Sequence, residues 1–202
     1  EVEEVRRVWP QIDLLRRRIV AAVVADQSAN LPGMDYGAFL RILLDDADAR
    51  VRSFAIEGLS EEGAAPDLLG RYIQSLQGEE DVEVRAAAAA ALGAYILEGE
   101  LEELDSALAM RAEQALMAVL TNRAEPLLVQ CRALESIAYS GELGVRQLIE
   151  DAYYAAEDQR RISALAAMGR SADIHWRRLA RAELTSPDPN MRAQAAYTCG
   201  EL

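Results

Sequence analysis

A five-residue pattern recurs along the chain and constrains its fold more than any other feature. Asp-x-x-Val-Arg stands at 81–85, and the similar segments DARVR and DPNMR stand at 48–52 and 188–192. Weaker copies, EDQRR and PLLVQ, occupy 157–161 and 126–130. The last residues of the five copies are separated by 33, 45, 31 and 31 residues. Such spacing is typical of structural repeats that stack against their neighbours.

The residues behind each copy have a helical period. Positions three, six and seven beyond the last residue of a copy share one helix face, and they carry a small, a small and then usually a larger residue. In chain order they are Ala55, Gly58 and Leu59; Ala88, Ala91 and Leu92; Ala133, Ser136 and Ile137; Ala164, Ala167 and Met168; and Ala195, Thr198 and Cys199. Small residues let neighbouring helices approach closely, so these positions are predicted to form the core. The six consecutive alanines at 86–91 are an extreme form of the pattern.

A further helix can be read before each copy, so the chain is predicted to contain five helix pairs. These first helices are predicted near 36–44, 66–76, 101–120, 143–155 and 174–184. Asp or Glu opens most of the second helices, as an N-cap does, and Pro126 and Pro189 suit the first turn. The 45-residue interval is attributed to a long first helix that opens with the acidic run at 98–105. No alternating strand pattern of any length is present.

An N-terminal helix is predicted near 10–25, with a loop at 28–35 leading into the array. One face of this helix carries Ile12, Leu15, Ile19 and Val23, and the arginines at 16–18 lie mostly off it. The prediction is therefore an all-α superhelix in a single domain. Residues 1–34 provide the capping helix and its loop, and residues 35–202 form the repeat array.

At Asp81–Gly93 the pattern D-x-x-V-R is followed by A-x-x-A-L-G, which resembles the second helix of a HEAT repeat. It is most similar to the bacterial HEAT-like repeats first named for phycobilisome lyases, over about residues 35–202. The resemblance implies a right-handed solenoid whose second helices line the concave face. It also implies two columns that hydrogen-bond between repeats: Asp48, Asp81, Glu157 and Asp188, and Arg52, Arg85, Arg161 and Arg192. Pro126 and Gln130 replace the pair in the third repeat, which predicts a break in this ladder.

The charge and composition exclude several classes of function. The chain carries 34 acidic residues against 21 arginines and no lysine, for a net charge of −13. Phosphate backbones require clustered basic residues, so this balance argues against nucleic acid as a partner, including for a HEAT-like DNA glycosylase. No apolar run approaches the ~20 residues of a membrane span. The two cysteines do not form a disulfide framework, which favours a reducing compartment, here expected to be the cytoplasm.

Candidate chemical groups are few, and no catalytic residue, metal or cofactor is predicted. His175 is the only histidine, whereas metal sites need several converging ligands. Cys199 aligns with core leucines, and Cys131 is expected to be partly accessible. The acids at 98–105 lack the spacing of a calcium loop. Trp176, Arg177, Arg178 and Arg181 form either a solvated basic face or a docking patch for an acidic partner.

The resulting functional hypothesis is a non-catalytic scaffold or adaptor that holds a helix or extended segment of another protein on the concave face. The alternative is a lyase- or chaperone-like subunit acting on a chromophore-bearing protein, as the resemblance allows. Self-association through the C-terminal repeat, or continuation of the chain, is also expected, because the last helix has an unused apolar face. Positions two, five and nine of the second helices are predicted to face the partner. The candidates are Phe54, Glu57, Ala87, Ala90, Ala94, Arg132, Glu135, Tyr139, Arg170, Gln194 and Tyr197, with the three alanines forming a shallow trough.

Overall fold

The structure is a computed structural model that describes residues 2–30 and 34–202. Within these residues every regular element is helical, which confirms the all-α fold class predicted from the sequence. Five consecutive helix pairs follow an N-terminal segment. The first helices of the pairs are α3 (Gly37–Leu43), α5 (Leu69–Gly78), α7 (Ser106–Thr121), α9 (Leu143–Tyr153) and α11 (Arg177–Glu183). The second helices are α4 (Ala49–Ser60), α6 (Val82–Glu100), α8 (Leu127–Ile137), α10 (Asp158–Arg170) and α12 (Pro189–Glu201).

The pairs stack in chain order. Each first helix packs on the second helix of its own pair, and each second helix packs on the second helix of the next pair. Helix α7 also packs against α5 and α6, which joins the first-helix layer at that point. Because each pair contacts mainly its neighbours, the molecule is a helical solenoid.

The small, small, large positions form the core as predicted. Every one of them is buried except Cys199, which is half-buried in the last helix. Close approach of neighbouring helices requires glycine at some positions. A Cβ on Gly58 would lie 3.1 Å from Ala25 Cα, and a Cβ on Gly93, the residue after Leu92, would lie 3.1 Å from Ser136 Oγ. Five of the six alanines at 86–91 are buried, so the run serves the packing of α6, which contacts both α4 and α8.

Replacing Ala88 with leucine is expected to destabilise the protein by ~1–3 kcal/mol through overpacking, because Ala88 is fully buried. Ala90, on the same helix, is exposed, so Ala90→Leu is the matched control and is expected to change stability by no more than about 0.5 kcal/mol. Urea unfolding followed by circular dichroism measures both. Equal losses for the two variants would remove the assignment of these helix faces.

The boundaries of α6 and α7 differ from the prediction. Helix α6 continues to Glu100, so the acidic run ends α6 and forms the connection to α7 instead of opening α7. Glu102 has a φ of 59°, which is incompatible with a continuing right-handed helix, and the Asp105 carboxylate accepts the Ala107 N–H at 2.9 Å to cap α7. The long interval between the second and third copies thus includes a 19-residue second helix. Pro189 occupies the first turn of α12, whereas Pro126 is the N-cap residue of α8.

The N-terminal segment contains more structure than the single helix predicted. It consists of α1 (Val2–Val8), a 3₁₀ turn (Trp9–Gln11) and α2 (Leu14–Asn30). Part of the predicted loop is therefore the last turn of α2, and residues 31–33 of that loop lie outside the described residues. Helix α2 packs against α4, and α1 contacts α3.

The packed face of α2 also differs from the prediction. Leu15, Ile19 and Val23 are exposed, whereas Ala21 and Ala25 are buried. Helix α2 is apolar on several faces, so hydrophobic periodicity alone does not select one. The choice is made by small residues that allow close approach to α4.

Helix α2 has the same place in the stack as the second helices of the five pairs, because it packs against α4. Its start reads Asp13-Leu-Leu-Arg-Arg17, a copy of the repeated pattern with arginine in place of valine. The Asp13 carboxylate accepts the Arg16 N–H at 3.1 Å, as an N-cap does, and Arg17 donates to both oxygens of Asp46 at 2.6 Å. Because arginine replaces valine at the fourth position, this copy is not evident from the sequence pattern alone. Helix α2 thus takes the position of a second helix before α4, whereas α1 contacts the 3₁₀ turn and α3.

Candidate partner-binding surface

The residues predicted to bind a partner belong to the second helices or their ends, and we call the surface formed by the exposed ones the second-helix face. Phe54 and Glu57 belong to α4, and Ala87, Ala90 and Ala94 belong to α6. The remaining candidates belong to α8 and its end, to α10 and to α12: Arg132, Glu135, Tyr139, Arg170, Gln194 and Tyr197. The structure arranges them around two grooves, with the alanines of α6 between them.

The first groove, of about 380 Å³, lies across α8, α10 and α12. It brings together five of the predicted residues: Arg132, Glu135, Arg170, Gln194 and Tyr197. Leu128, Ile162 and Ala166 add an apolar lining that the sequence analysis did not identify. We call this site the α8–α10–α12 groove.

Glu135 organises the charges of this groove. It was expected to form a wall, but only 6% of it is exposed. The Ser163 hydroxyl donates to its Oε1 at 2.5 Å, and Arg132 Nη1 donates to its Oε2 at 2.8 Å. Arg170 Nη2 lies 3.8 Å from the same Oε2. A buried carboxylate needs such partners, so Glu135 holds both guanidinium groups at the groove.

Both arginines remain available to a ligand. About half of the Arg132 side chain and a third of the Arg170 side chain are exposed. The guanidinium carbon of Arg170 lies 5.7 Å from the ring centre of Tyr139, a cation–π contact that further fixes its orientation. Two positive groups face one carboxylate here, so this groove has a local excess of positive charge in an acidic protein.

The burial of the two cysteines is the reverse of that predicted from the sequence. Cys131, at the base of the same groove, is buried, and burial raises the pKa of its thiol. A raised pKa disfavours the thiolate that a nucleophile requires. Cys199 is half-buried because it belongs to the last helix of the described array, where no further helix pair covers it.

The second groove, of about 700 Å³, lies along α4 and the start of α6 and contains Phe54 and Glu57. The guanidinium carbon of Arg50 lies 5.8 Å from the ring centre of Phe54. At its edge Arg18 donates to both oxygens of Asp48, at 2.9 and 2.6 Å, and this guanidinium lowers the pKa of Asp48 below its ordinary value.

The alanines of α6 separate the two grooves. Ala87 is buried, Ala94 is half-buried and Ala90 is exposed. The single trough predicted across these residues is thus replaced by a low surface on α6 with a groove on each side. Ala87 belongs to the hydrophobic core, although its helical offset had assigned it to the surface.

The arginine column crosses between repeats, but its partners are glutamates and not the aspartate column. Arg52 donates to Glu79 at 2.8 and 2.7 Å, and Arg161 donates to Glu183 at 3.3 Å. Arg85 donates to Glu125. Arginine is long enough to reach past the neighbouring N-cap to these carboxylates.

The aspartates mainly cap their own helices. Asp81 and Asp188 accept N–H groups of the first turns of α6 and α12, and Asp48 caps α4 as well as binding Arg18. Glu157 is the N-cap residue of α10 without a side-chain cap bond, and its carboxylate lies 3.7 Å from Arg160. The carboxylates of Asp81 and Asp188 are turned towards their own helices by these cap bonds, so they do not pair with the arginine column.

The third repeat has Gln130 in place of the ladder arginine, and its polar contacts differ from those of the other repeats. Gln130 Nε2 donates to the carbonyls of Asn122 and Glu125 at 3.2 and 3.1 Å, and its Oε1 accepts from Arg160 at 2.8 Å. A groove of about 560 Å³ opens beside it, with Leu120 and Leu148 in its lining. The glutamine keeps the links within its own pair, and through Arg160 it contacts the following pair by a hydrogen bond instead of an arginine–glutamate ion pair.

Other residues singled out in the sequence have structural roles. Trp176 is buried in the core, so the basic patch around His175 contains no exposed tryptophan. Glu98 accepts the Ala64 N–H at 2.7 Å, and Glu100 accepts the Gly141 N–H at 3.1 Å, so acids of this run hold neighbouring loops. Within residues 2–30 and 34–202, no three His, Cys, Asp or Glu side chains converge as metal ligands would. In the same ranges no helix is both long and apolar enough to cross a membrane.

Comparison with known proteins gives a likeness of fold. No family model and no curated protein matches the chain. Two engineered proteins, whose crystal structures come from the Northeast Structural Genomics Consortium, are similar over nearly their full length. The first is 17% identical, with 99% of this chain and 95% of that chain covered at a TM-score of 0.52. The second is 15% identical, with 100% and 98% covered at a TM-score of 0.52. At these identities the likeness concerns the fold alone, and it supports the all-helical architecture.

Proposed function

We propose that this chain is a HEAT-like repeat protein of the bacterial cytoplasm that acts as a non-catalytic scaffold or adaptor. Its partner is another protein, of which a helix or extended segment binds the second-helix face. The observation that carries the proposal is the α8–α10–α12 groove, where two partly exposed arginines and an exposed tyrosine surround an apolar lining. Two free cysteines are compatible with a reducing compartment.

The chemistry of the groove favours a segment that combines an acidic residue with apolar ones. Arg132 and Arg170 can donate to a carboxylate, and Ile162 and Ala166 can contact aliphatic groups. Tyr197 is 63% exposed at the rim, where a large amphipathic ring is available for contact. Tyrosine and arginine are the residue types enriched at energetically important interface positions.

A binding role also agrees with the positions of the reactive groups. Cys131 is buried with a raised pKa, and His175 is exposed at the start of the last pair, in the first-helix layer.

Tyr197→Ala and Arg132→Ala are each expected to weaken partner binding about tenfold or more, because each removes an exposed contact group of the groove. The immobilised chain would first capture partners from a lysate of its source organism, and mass spectrometry would identify them. The affinity of a purified partner would then be measured by calorimetry for the native chain and each variant. Circular dichroism checks that the variants remain folded.

Arg178→Glu is the matched control, because Arg178 is exposed in the first-helix layer, away from the groove. This variant is expected to bind the partner as the native chain does. If Arg178→Glu abolishes binding while Tyr197→Ala and Arg132→Ala preserve it, the working surface is the first-helix layer. That result would reject the proposed function in its present form.

A further inference from the structure

Among the described residues, α2 and α12 each expose one half of the contact that joins neighbouring helix pairs. Positions are counted from the ladder residue of each second helix, which is Arg17 in α2 and Gln130 in α8. Positions three and six face the preceding pair, and we call them the leading face. Positions one, four and eight face the following pair, and we call them the trailing face.

Contacts inside the array establish this arrangement. Gly93 of α6 and Gly169 of α10 are at position eight of their trailing faces. A Cβ on Gly93 would lie 3.1 Å from Ser136 Oγ, and one on Gly169 would lie 3.4 Å from Thr198 Cα. Ser136 and Thr198 are both at position six of the following leading face. Thr198 Oγ1 also donates to the carbonyl of Leu165, at position four, at 2.7 Å.

Burial follows the same rule through the chain. The internal trailing faces, all buried or half-buried, are Arg18, Ala21 and Ala25; Ser53, Ile56 and Ser60; Ala86, Ala89 and Gly93; Cys131, Leu134 and Ala138; and Ile162, Leu165 and Gly169. The leading faces of α4, α6, α8, α10 and α12 are likewise buried. Each internal junction therefore joins a trailing face to a leading face.

One face of each kind remains uncovered. The trailing face of α12, formed by Ala193, Ala196 and Gly200, is exposed, and no atom lies within 4 Å of the position of a Cβ on Gly200. The leading face of α2, formed by Val20 and Val23, is also exposed. These two valines are larger than any residue on the internal leading faces, which consist of Ala, Gly, Ser and Thr.

We propose that these two faces bind each other between copies of this chain, so that α12 of one copy packs on α2 of the next. The trailing face of α12 has the same residues, Ala-Ala-Gly, as the trailing face of α6. Helix α6 shows that this triplet accepts a closely packed helix, since α8 lies against it. Two valines provide the apolar volume to fill so small a face, and burying them removes exposed hydrophobic surface from water.

The ladder supports the same head-to-tail order. Arg17, Arg52, Arg85 and Arg161 each pair with a carboxylate beyond their own helix. Arg192, the ladder residue of α12, donates to the carbonyls of Ser186 and Pro187 and forms no ion pair within the described residues. In a head-to-tail contact Arg192 would approach the start of the next copy's α2, where the carboxylate of Asp13 is more than half exposed.

The experiment is sedimentation velocity of the native chain and of two variants, Val23→Arg and Ala196→Arg, over a range of concentrations. The two faces are different surfaces, so the contact is heterologous and can extend into open chains. The native chain is expected to increase in mass with concentration. Each variant alone is expected to be monomeric, because an arginine blocks one of its two faces. An equimolar mixture is expected to form a 1:1 dimer through the intact α12 face of Val23→Arg and the intact α2 face of Ala196→Arg.

Other outcomes contradict the proposal in distinguishable ways. Association between two α2 faces would leave Ala196→Arg able to self-associate alone, and association between two α12 faces would leave Val23→Arg able to do so. A native chain that remains monomeric at concentrations on the order of 100 µM excludes any contact of micromolar affinity and overturns the proposal. Both substituted positions are exposed, and circular dichroism verifies that each variant is folded.

Discussion

Asp46→Ala is expected to destabilise the N-terminal part of the array by ~3–5 kcal/mol, the typical cost of removing one partner of a buried ion pair. Only 1% of the Asp46 side chain is exposed. It accepts hydrogen bonds from Trp9 Nε1 at 2.6 Å, from Arg17 at 2.6 Å and from the backbone N–H of Asp48 at 2.8 Å. Alanine would leave the buried Trp9 N–H and the Arg17 guanidinium without this partner. Because Trp9 precedes α2 and Arg17 belongs to it, α1 and α2 should detach from α3 and α4 first.

Asp45→Ala is the matched control for this change. Asp45 is the adjacent residue, but 66% of its side chain is exposed and it forms a surface ion pair with Arg71 at 2.8 Å. Loss of such a pair is expected to cost no more than about 1 kcal/mol. Urea unfolding followed by tryptophan fluorescence reports on Trp9 and Trp176, the only two tryptophans, and iodide quenching detects exposure of either one. Similar losses for the two variants would show that the Asp46 cluster does not hold α1 and α2 on the array.

The repeat core could be predicted from the sequence because its determinants are local. Ala88, Ala133 and Ala164 recur at one helical offset from an N-cap, and both the cap and the period are set by residues close together in the chain. Solenoids repeat one junction, so an alignment of the chain with itself contains most of the information about packing. The five pairs and the buried faces follow from this property.

The partner-binding surface is harder to predict from the sequence than the core is, because it depends on contacts between repeats. Glu135 looks like a solvated residue at its helical offset, but Ser163, 28 residues away, and Arg170 hold it in a buried position. Ala87 has a surface offset, but it is buried in the hydrophobic core. Nothing in the residues adjacent to Glu135 or Ala87 encodes these partners.

The N-terminal segment shows a second limit of prediction from the sequence. Helix α2 has valine, leucine or isoleucine on several faces, so its hydrophobic pattern does not identify the packed one. The structure selects Ala21 and Ala25, which allow close approach, and it uses the Arg17–Asp46 pair as an anchor. The copy of the repeat at 13–17 becomes recognisable only when Arg17 is seen in the position that Arg52 occupies in the next pair.

Trp176→Ala is expected to destabilise the last two pairs by ~3–5 kcal/mol, because truncating a fully buried tryptophan removes apolar contacts and leaves a cavity. The sequence placed Trp176 in an exposed basic patch, but only 1% of it is exposed. It shares the hydrophobic core with Val145 and Ile149 of α9, beside the ion pair of Arg146 and Asp173 at 2.5 Å. The tryptophan therefore joins the start of α11 to the preceding pair.

Ile174→Ala is the control, since Ile174 lies two residues earlier, in the same 3₁₀ turn, and is 64% exposed. It is expected to change stability by no more than about 0.5 kcal/mol, so urea unfolding by circular dichroism should separate the two variants clearly. If both variants unfold as the native chain does, Trp176 is not a core residue, and the exposed basic patch predicted from the sequence regains support. A large loss of stability for Trp176→Ala alone would instead show that the buried Trp176 side chain, just before α11, fixes this helix to the preceding pair. The basic residues Arg177, Arg178 and Arg181 would then lie on a rigid outer surface.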